Sequence, residues 1–589
     1  MLSKTERIEV LLARGYFLKE LPPPFTSKKF AGSISDIALE WTAHQTALSA
    51  TQRRSYPPTS QCARFDMARK GHSRRILSVP NPVSQYYLVD FIAENQDKFE
   101  DISGISKISL TPAHIRMDGS RAVSMEKLSV LGEKRIQAYA NARAILQTDI
   151  LSFYHTIYTH SISWALHGKK VAKRNRNKAD PAVYGNKIDA LMQACQDGQT
   201  KGIPVGPDTS RIISEIILCA IEQQIDSRIF SRMIAGYRYV DDFFLCFSSH
   251  VDAEAFLSAL RDAVQSFDLQ LNASKTRILN STDFNEESWP GDIAQLNISS
   301  NAKDQRRDLI RFFTEVIRLS KAWPDESIFS FAVRKTSRRL VRSENWDIYE
   351  PFLLRLAREN SNCLDSVVKI LCTYAAIGYS FGGRIKAFAE SMIEEHAPYN
   401  HHFEVVWVLW LCRSLSIRLG ERATQLVSKV ENSLCGCLVL MLRSRGLLTG
   451  RGAVSDWTGS VTKEDLFGEH WMLIYESGIR KSWNLPGAVD AVNDDPNFRI
   501  LRDKKISFFD SSATNVALKL PSIDKLLEER LDTRRSATLP GAVYVESITR
   551  REERHYEKLG EDYGVEVASW ALPSDLFNIE DSHDIDGPE

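Results

Sequence analysis

Two adjacent carboxylates, Asp241 and Asp242, separate two apolar, aromatic runs within residues 233–247. Both runs are rich in residues that favour strands, so the sequence predicts a β-hairpin with the two acids at its bend. Two acids at one bend can bind the same cation, so the pair suggests a metal-binding site. Asp-Asp is also an ordinary turn dipeptide, so the pair by itself leaves both interpretations open.

A third carboxylate, Asp149, follows an apolar run that begins at Arg143 and is typical of a strand. Tyr154, in the helical turn that follows, would form a wall for the sugar of a bound nucleotide, or it is a packed core aromatic. From residue 143 to 279 the patterns predict the order strand, helix, helix, strand, strand, helix, strand. This order indicates a sheet with helices on one face, and it places Asp149 on a strand next to the acidic hairpin.

Three carboxylates in this arrangement suit phosphoryl transfer with two Mg²⁺ ions, which carboxylates bridge at a separation of about 4 Å. One ion would activate the attacking hydroxyl, and the other would neutralise the leaving pyrophosphate. We predict that Asp149 and Asp241 are the bridging pair and that Asp242 is a secondary acid. The carbonyl of Ile150 would complete the shell of the second ion, and Mn²⁺ could substitute for Mg²⁺.

A glycine and proline loop, residues 202–210, precedes a helix that the apolar spacing predicts as far as Ile221. Asp208, Thr209 or Ser210 is expected to cap this helix. A rigid loop at a helix N-terminus suits an anion, although many helices begin in this way without a ligand.

Two basic segments are candidates for contact with phosphate. Arg74 and Arg75 end a basic cluster that leads into a β-like segment, where forked donors would suit a triphosphate; a solvated basic turn is the alternative. Residues 169–178 are the densest positive segment and lack apolar periodicity, so we predict an exposed loop that contacts nucleic acid or simply faces water. Its charged candidates are Lys169, Lys170, Lys173, Arg174 and Arg176.

The composition indicates a globular protein. The chain has 589 residues, 43% of them hydrophobic, which is enough for two or three globular domains. Lys plus Arg and Asp plus Glu both number 75, so contact with nucleic acid must come from local patches, and a non-specific DNA-coating protein is disfavoured. Nine scattered cysteines without zinc spacing are typical of buried thiols in a reducing compartment. A charged N-terminus and short apolar runs favour a cytoplasmic protein without a membrane span.

The chain divides into four predicted parts. Helical periodicity dominates after residue 300, and the acidic end has few core residues. We expect Tyr56 to be exposed on a mobile, proline-flanked loop, and we assign His401 and His402 to helix packing rather than to a ligand site. The predicted parts are an N-terminal helical and extended segment (1–65), an α+β part (66–295), an α-helical array (300–530), and a C-terminal helix with a partly disordered acidic tail (531–589).

The motifs resemble those of the reverse transcriptases over roughly residues 65–290. The resemblance implies right-hand polymerase fingers and a ferredoxin-like palm, in which Tyr154 excludes ribonucleotides and Arg74 and Arg75 hold the triphosphate. Gly206 and Lys275 would also contact the nucleotide. The matching segments are the box at 239–242, the strand and steric-gate motif at 149–154, the nucleotide-side loop at 202–210, and the lysine after the hairpin, Lys275.

Within that family, residues 149–162, 168–170 and 202–215 look most like the bacterial abortive-infection (AbiK-type) reverse transcriptases. This resemblance implies phage defence, a helical-repeat (HEAT-like) domain, a homo-oligomer, and template-independent synthesis from deoxynucleoside triphosphates. The single-stranded DNA product would be primed on a tyrosine of the enzyme and stay attached to it. Val205 stands where many templated relatives carry glutamine, which also favours untemplated synthesis. The priming tyrosine is not assigned, although Tyr56 is a candidate from its loop context.

Two alternatives remain open from the sequence. One is a templated reverse transcriptase that uses a partner RNA. The other is an inactive polymerase-like scaffold that binds nucleic acid or a phage protein, but a scaffold has no physical need for three metal-ligating acids.

Overall fold

The computed structural model describes residues 2–69, 73–123, 125–126, 128–283, 289–324 and 326–513. The predicted C-terminal helix and acidic tail (531–589) lie outside the described residues, as do three members of the basic cluster, Lys70, Gly71 and His72. None of the helices in the described ranges is long and apolar enough to cross a membrane. All nine cysteines are free, and eight of them are buried, as predicted.

Six strands in the described ranges form two antiparallel sheets. The first two strands pair as a hairpin, and the other four form a sheet with the order β4-β5-β3-β6. The strands are β1 (Ala63–Ala68), β2 (Arg74–Val79), β3 (Ala144–Thr148), β4 (Met233–Tyr239), β5 (Asp242–Phe247) and β6 (Arg277–Asn280).

Thirteen helices precede or connect these strands among the described residues. They are α1 (Lys4–Ala13), α2 (Lys28–Gly32), α3 (Ile34–Ala47), α4 (Ala50–Arg54), α5 (Pro82–Ser103), α6 (Leu128–Tyr139), α7 (Phe153–Thr156), α8 (His160–His167), α9 (Lys169–Arg174), α10 (Gly185–Ala194), α11 (Asp208–Gln223), α12 (Ser227–Phe230) and α13 (His250–Ser266).

The four-stranded sheet has the strand order of a split βαβ unit, which is the predicted ferredoxin-like palm. Helix α13 packs on β3 and β5, and α11 packs beside α13. The two helices can cover one face because each has an apolar stripe; on α11 the isoleucines 212, 213, 216 and 217 are all buried. The sheet also pairs β3 directly with β5, which confirms the predicted adjacency of their ends.

The second half of the described chain is wholly helical. Along it, α16, α18, α20, α22 and α24 form a continuous row in which each contacts the next, as expected when helix pairs stack one after another. The helical prediction is confirmed, while the HEAT-like repeat stays a prediction. The helices are α14 (Trp289–Gln295), α15 (Ala302–Ala322), α16 (Ile328–Thr336), α17 (Trp346–Glu359), α18 (Leu364–Ala376), α19 (Gly383–His396), α20 (His402–Ser414), α21 (Glu421–Ser428), α22 (Ser433–Ser444), α23 (Ser455–Thr458), α24 (Trp471–Ile479), α25 (Ala488–Asp494) and α26 (Pro496–Asp503).

The N-terminal segment is packed against the far end of the described chain. Phe25 forms an antiparallel bridge with Phe509, and the indole of Trp41 donates to the carbonyl of Asn497 at 3.2 Å. Tyr56 is buried, and its hydroxyl donates to Asn497 Oδ1 at 2.6 Å. The prediction of an exposed, mobile Tyr56 is therefore wrong, because its partner lies more than 400 residues away in sequence and gives no local signal.

Candidate active site

The acidic hairpin has a two-residue connection, Val240 and Asp241, closed by the pairing of Tyr239 with Asp242. Val240 has a φ of 53°, in the left-handed region that a β-branched residue rarely adopts. Such strain persists only where neighbouring groups hold the backbone in place, and it is concentrated at functional sites. Here Arg238 Nη1 donates to the carbonyl of Val240 at 2.9 Å, and the Val240 amide donates to Thr111 Oγ1 at 3.3 Å.

Behind the hairpin lies a buried ionic network that the sequence analysis missed. Arg238 is fully buried and donates to both oxygens of Glu215 at 2.9 Å and to Glu222 at 2.5 Å. Ser109 and Thr111 donate to Glu215 at 2.6 and 3.2 Å. Burial alone would raise the pKa of Glu215, but the Arg238 guanidinium holds it below its usual range. A signal was present: two glutamates seven residues apart share one face of α11 within its apolar stretch, residues 212–221.

Asp149 lies at the end of β3, directly after Thr148, which pairs with Phe243. Continuing this antiparallel register by one residue places Asp149 opposite Asp242. Lys275 Nζ is 2.8 Å from Asp149 Oδ2, so the predicted nucleotide lysine meets the predicted catalytic acid.

Ile150, the predicted carbonyl ligand, forms an isolated bridge with Leu271. The two hydrogen bonds that flank this bridge are formed by the Asp149 carbonyl and the Leu151 amide, so neither of them involves the Ile150 carbonyl.

The three acids interact electrostatically. Burial and the neighbouring Asp242 raise the pKa of Asp241 to about 8, and Asp149 adds to this effect while Arg75 opposes it. Crowded carboxylates of this kind are accommodated by a cation between them. Oxygen-only ligands fit hard divalent ions such as Mg²⁺, so the side chains that the fold brings together suit the predicted metal.

Tyr154 adjoins both the acids and the glycine loop. Its hydroxyl is 3.2 Å from Ser214 Oγ, and its carbonyl accepts from the Ile203 amide at 2.9 Å. Burial raises the pKa of Tyr154, and Asp241 contributes to the same shift, so the phenol stays protonated. Tyr154 is therefore bound to the Gly202 loop through its backbone, and its phenol lies within electrostatic range of Asp241.

Position 206 requires a glycine because of its backbone conformation and its close neighbours. Its φ is +120°, and an added Cβ would lie 2.1 Å from Leu18 Cδ2. Arg121 donates to the Gly206 carbonyl at 2.7 Å and also binds Asp208, whose own amide donates to the carbonyl of Gly15. The amide of Asp208, the first residue of α11, is thus bonded to Gly15, and its carboxylate is bonded to Arg121. The nucleotide contact predicted for Gly206 stays a prediction.

The two candidate arginines of β2 have their side chains on opposite faces of the β1–β2 hairpin, because successive strand residues point in opposite directions. Arg74 binds Glu404 of α20 and Asp66 of β1, whereas Arg75 acts on Asp241. Arg74 is thus engaged with the helical half, and the triphosphate contact predicted for the pair stays a prediction.

The basic segment at 169–178 begins as helix α9 rather than as the predicted loop. Lys169 Nζ lies 3.9 Å from the centre of the Trp164 ring and donates to the Ser266 carbonyl, so it stabilises local packing. The nucleic-acid contact predicted for this segment stays a prediction. The candidates that remain exposed are Lys170, Lys173, Arg174 and Arg176.

Residues 79–305 match the family model described as reverse transcriptase (RNA-dependent DNA polymerase). This span includes the four-stranded sheet, the three aspartates, Tyr154 and Lys275, and it indicates an enzyme, a nucleotidyltransferase of the RNA-directed DNA polymerase type. A search of curated proteins finds no match.

Among solved structures, the chain is similar to a telomerase from Candida albicans in complex with the TWJ fragment of telomeric RNA. The identity is 11% and the TM-score 0.25, over 64% of this chain and 70% of that one. It is also similar to an apo telomerase from Candida tropicalis, at 10% identity and a TM-score of 0.28, over 69% of this chain and 67% of that one.

Proposed function

We propose that the reverse transcriptase domain at residues 79–305 joins deoxynucleotides into DNA at the end of the sheet where Asp149, Asp241 and Asp242 meet. The observation that carries the proposal is the pairing of β3 with β5, which brings an acid from each strand to the same edge. Phosphoryl transfer needs this convergence of carboxylates, and a hairpin turn alone does not provide it.

Asp149, Asp241 and Asp242 would hold two Mg²⁺ ions, with the Ile150 carbonyl as a further ligand. Such ions, when bound, activate an attacking hydroxyl and neutralise a leaving pyrophosphate. The raised pKa of Asp241 supports this assignment, because it reports carboxylates crowded at a buried position. Mn²⁺ would be accepted by the same ligands.

The remaining side chains would bind and orient the nucleotide. Arg75, which acts electrostatically on Asp241 from the β1–β2 hairpin, would pair with the triphosphate, for which a guanidinium fork is well suited. Tyr154 would lie against the sugar and exclude a 2′-hydroxyl. Lys275, which bonds Asp149 at 2.8 Å, supplies a second positive charge at the edge of the site.

The finer proposal concerns priming and biological role. We infer that synthesis proceeds without a template, is primed on a tyrosine of the chain, and serves abortive-infection defence against phage in a homo-oligomeric enzyme. The sequence resemblance to the abortive-infection enzymes supports this, together with the helical half that follows the palm. Tyr56 is a poor primer in this conformation, because its hydroxyl is buried against Asn497.

The test uses purified full-length protein with labelled deoxynucleotides and Mg²⁺, without added nucleic acid. The expected result is a label that stays with the protein on a denaturing gel and is removed by nuclease. Asp241→Asn should abolish the label, while Asp262→Asn, an exposed acid on α13, should not. Synthesis that persists in Asp241→Asn would contradict the site assignment.

A templated reaction is the second candidate, and the family described as an RNA-dependent DNA polymerase favours it. In that case, label should appear only after RNA is added, and the product should be complementary to the RNA. Protection of cells against phage by the Asp241→Asn variant would instead favour a binding scaffold.

A further inference from the structure

A cluster of potential metal ligands lies in the helical half, away from the three aspartates in sequence. His396 ends α19, His401 precedes α20, and Glu404 lies in the first turn of α20. One ligand atom from each of the three lies within 4.8 Å of the other two. The Nδ1 atoms of the two histidines are 2.9 Å apart, and His396 Nδ1 is 3.8 Å from Glu404 Oε1.

The backbone fixes this arrangement. The His401 amide donates to the His396 carbonyl at 3.2 Å, and Asn400 turns the chain with a φ of 55°. Four residues separate the two histidines, a spacing within the range of zinc-binding histidine pairs. Nitrogens that each lie about 2.0–2.1 Å from one tetrahedral ion are about 3.3–3.4 Å apart, so the two Nδ1 atoms, now 2.9 Å apart, would separate by about 0.5 Å to share an ion.

The far side of the His396 ring does not explain its orientation. Its Nε2 atom is buried and has no hydrogen-bond partner in the described part of the chain. The ring is therefore placed by what meets Nδ1, where both His401 and Glu404 converge. A hydrogen bond between the two imidazoles accounts for their approach, and Glu404, which Arg74 holds, lies close enough to supply a third ligand atom.

Glu404 remains able to act as a ligand although Arg74 donates to it. Arg74 Nη1 and Nη2 lie 3.0 and 2.7 Å from Oε1 and Oε2 of Glu404. Each carboxylate oxygen has two lone pairs, so Oε1 can accept from Arg74 and still face His396. Metal-bound carboxylates are commonly held by such outer hydrogen bonds. Asp66, which also binds Arg74, leaves the group with an excess of negative charge for a cation.

We propose that His396, His401 and Glu404 bind one transition-metal ion of the zinc class, with a fourth position open to water. Two imidazoles and a carboxylate favour such an ion over Mg²⁺, which the aspartate site would take. Through Glu404 and Arg74 the ion fastens α19 and α20 to the β1–β2 hairpin that carries Arg75. The site is thus a metal-binding link between the helical half and the β1–β2 hairpin.

The test titrates Zn²⁺ into chelator-treated full-length protein in excess Mg²⁺, and then records X-ray absorption at the zinc edge. We expect one Zn²⁺ per chain with two imidazole ligands, and a rise in Tm on binding. His396→Ala/His401→Ala should weaken binding by about 100-fold or more, with folding checked by circular dichroism. The milder His401→Ala keeps the test informative if the double variant does not fold, and it should lose one imidazole from the spectrum.

The matched control is His250→Ala, an exposed histidine at the start of α13, which should bind as the unaltered chain does. Failure of the unaltered protein to bind one equivalent, or a bound ion with oxygen ligands alone, would overturn the proposal. Equal binding by the His401→Ala variant would overturn it as well.

Discussion

Arg74 and Arg75 are consecutive residues of one strand, yet Arg74 binds Glu404 of the helical half while Arg75 acts on Asp241 of the acidic hairpin. The alternation of side chains along a strand produces this division. The β1–β2 hairpin therefore binds the helical half through Arg74 and supplies the positive charge of Arg75 to the acidic hairpin.

The division predicts different outcomes for the two arginines. Arg75→Ala should raise the KM for deoxynucleotides by about 10-fold or more, since a charge-assisted contact with the triphosphate would be lost. Arg74→Ala should lower the free energy of unfolding by about 3 kcal/mol, because the buried Glu404 loses its partner. Steady-state kinetics and urea denaturation measure the two effects. Arg64→Ala, an exposed arginine of the same hairpin, should change neither quantity.

Replacement of Arg238 should be severely destabilising. Arg238→Met leaves Glu215 and Glu222 buried without their cation, at a cost of about 3–5 kcal/mol in the free energy of unfolding. The turn at Val240 also loses a hydrogen bond, so activity should fall in the protein that remains folded. Arg228→Met, at an exposed position, should unfold at the same urea concentration as the unaltered chain. A stable and fully active Arg238→Met would contradict the role given to the network.

Gly206→Ala tests whether the loop glycine is needed for packing. The new Cβ would meet Leu18 at 2.1 Å in a backbone conformation that alanine avoids, so we expect a loss of about 1–3 kcal/mol. Gly291→Ala is the matched control, since nothing lies within 4 Å of its added Cβ. Thermal unfolding of both variants decides the matter; an unchanged Tm for Gly206→Ala would show that the N-terminal segment yields to the methyl group.

Asp241→Asn should separate stability from activity. Without metal, the variant should be more stable than the unaltered chain by about 1 kcal/mol, because it relieves the repulsion between buried carboxylates. Mg²⁺ should raise the Tm of the unaltered chain, and the variant should respond much less. Calorimetry with and without Mg²⁺ provides the comparison, and a variant that Mg²⁺ stabilises fully would place the ions elsewhere.

Local patterns predicted the palm well. Strand-forming runs around Asp149 and the acidic hairpin, with helices between them, contain enough information for the order of elements and the adjacency of the acids. The network around Arg238 was not predicted, because an arginine in a strand gives no sign that it is buried until its partners on α11 are placed beside it.

Contacts between residues far apart in the sequence were also not predicted. Tyr56 was assigned to the surface from its arginine and proline neighbours, whereas Asn497 buries its hydroxyl.

The basic segment at 169–178 lacks an apolar stripe, and yet Lys169 over Trp164 contributes to packing of a short helix there. Side chains that pack through cations and hydrogen bonds leave little trace in hydrophobic periodicity.

The bridge between Phe25 and Phe509 has a consequence for biosynthesis. Phe25 is synthesised well before its partner, since Phe509 follows 484 residues later. At about 5–20 residues per second, the wait is on the order of a minute. During that time Phe25 and Trp41 would lack these late partners on the nascent chain, so we expect chaperones to bind this segment and release it once residue 509 has been made.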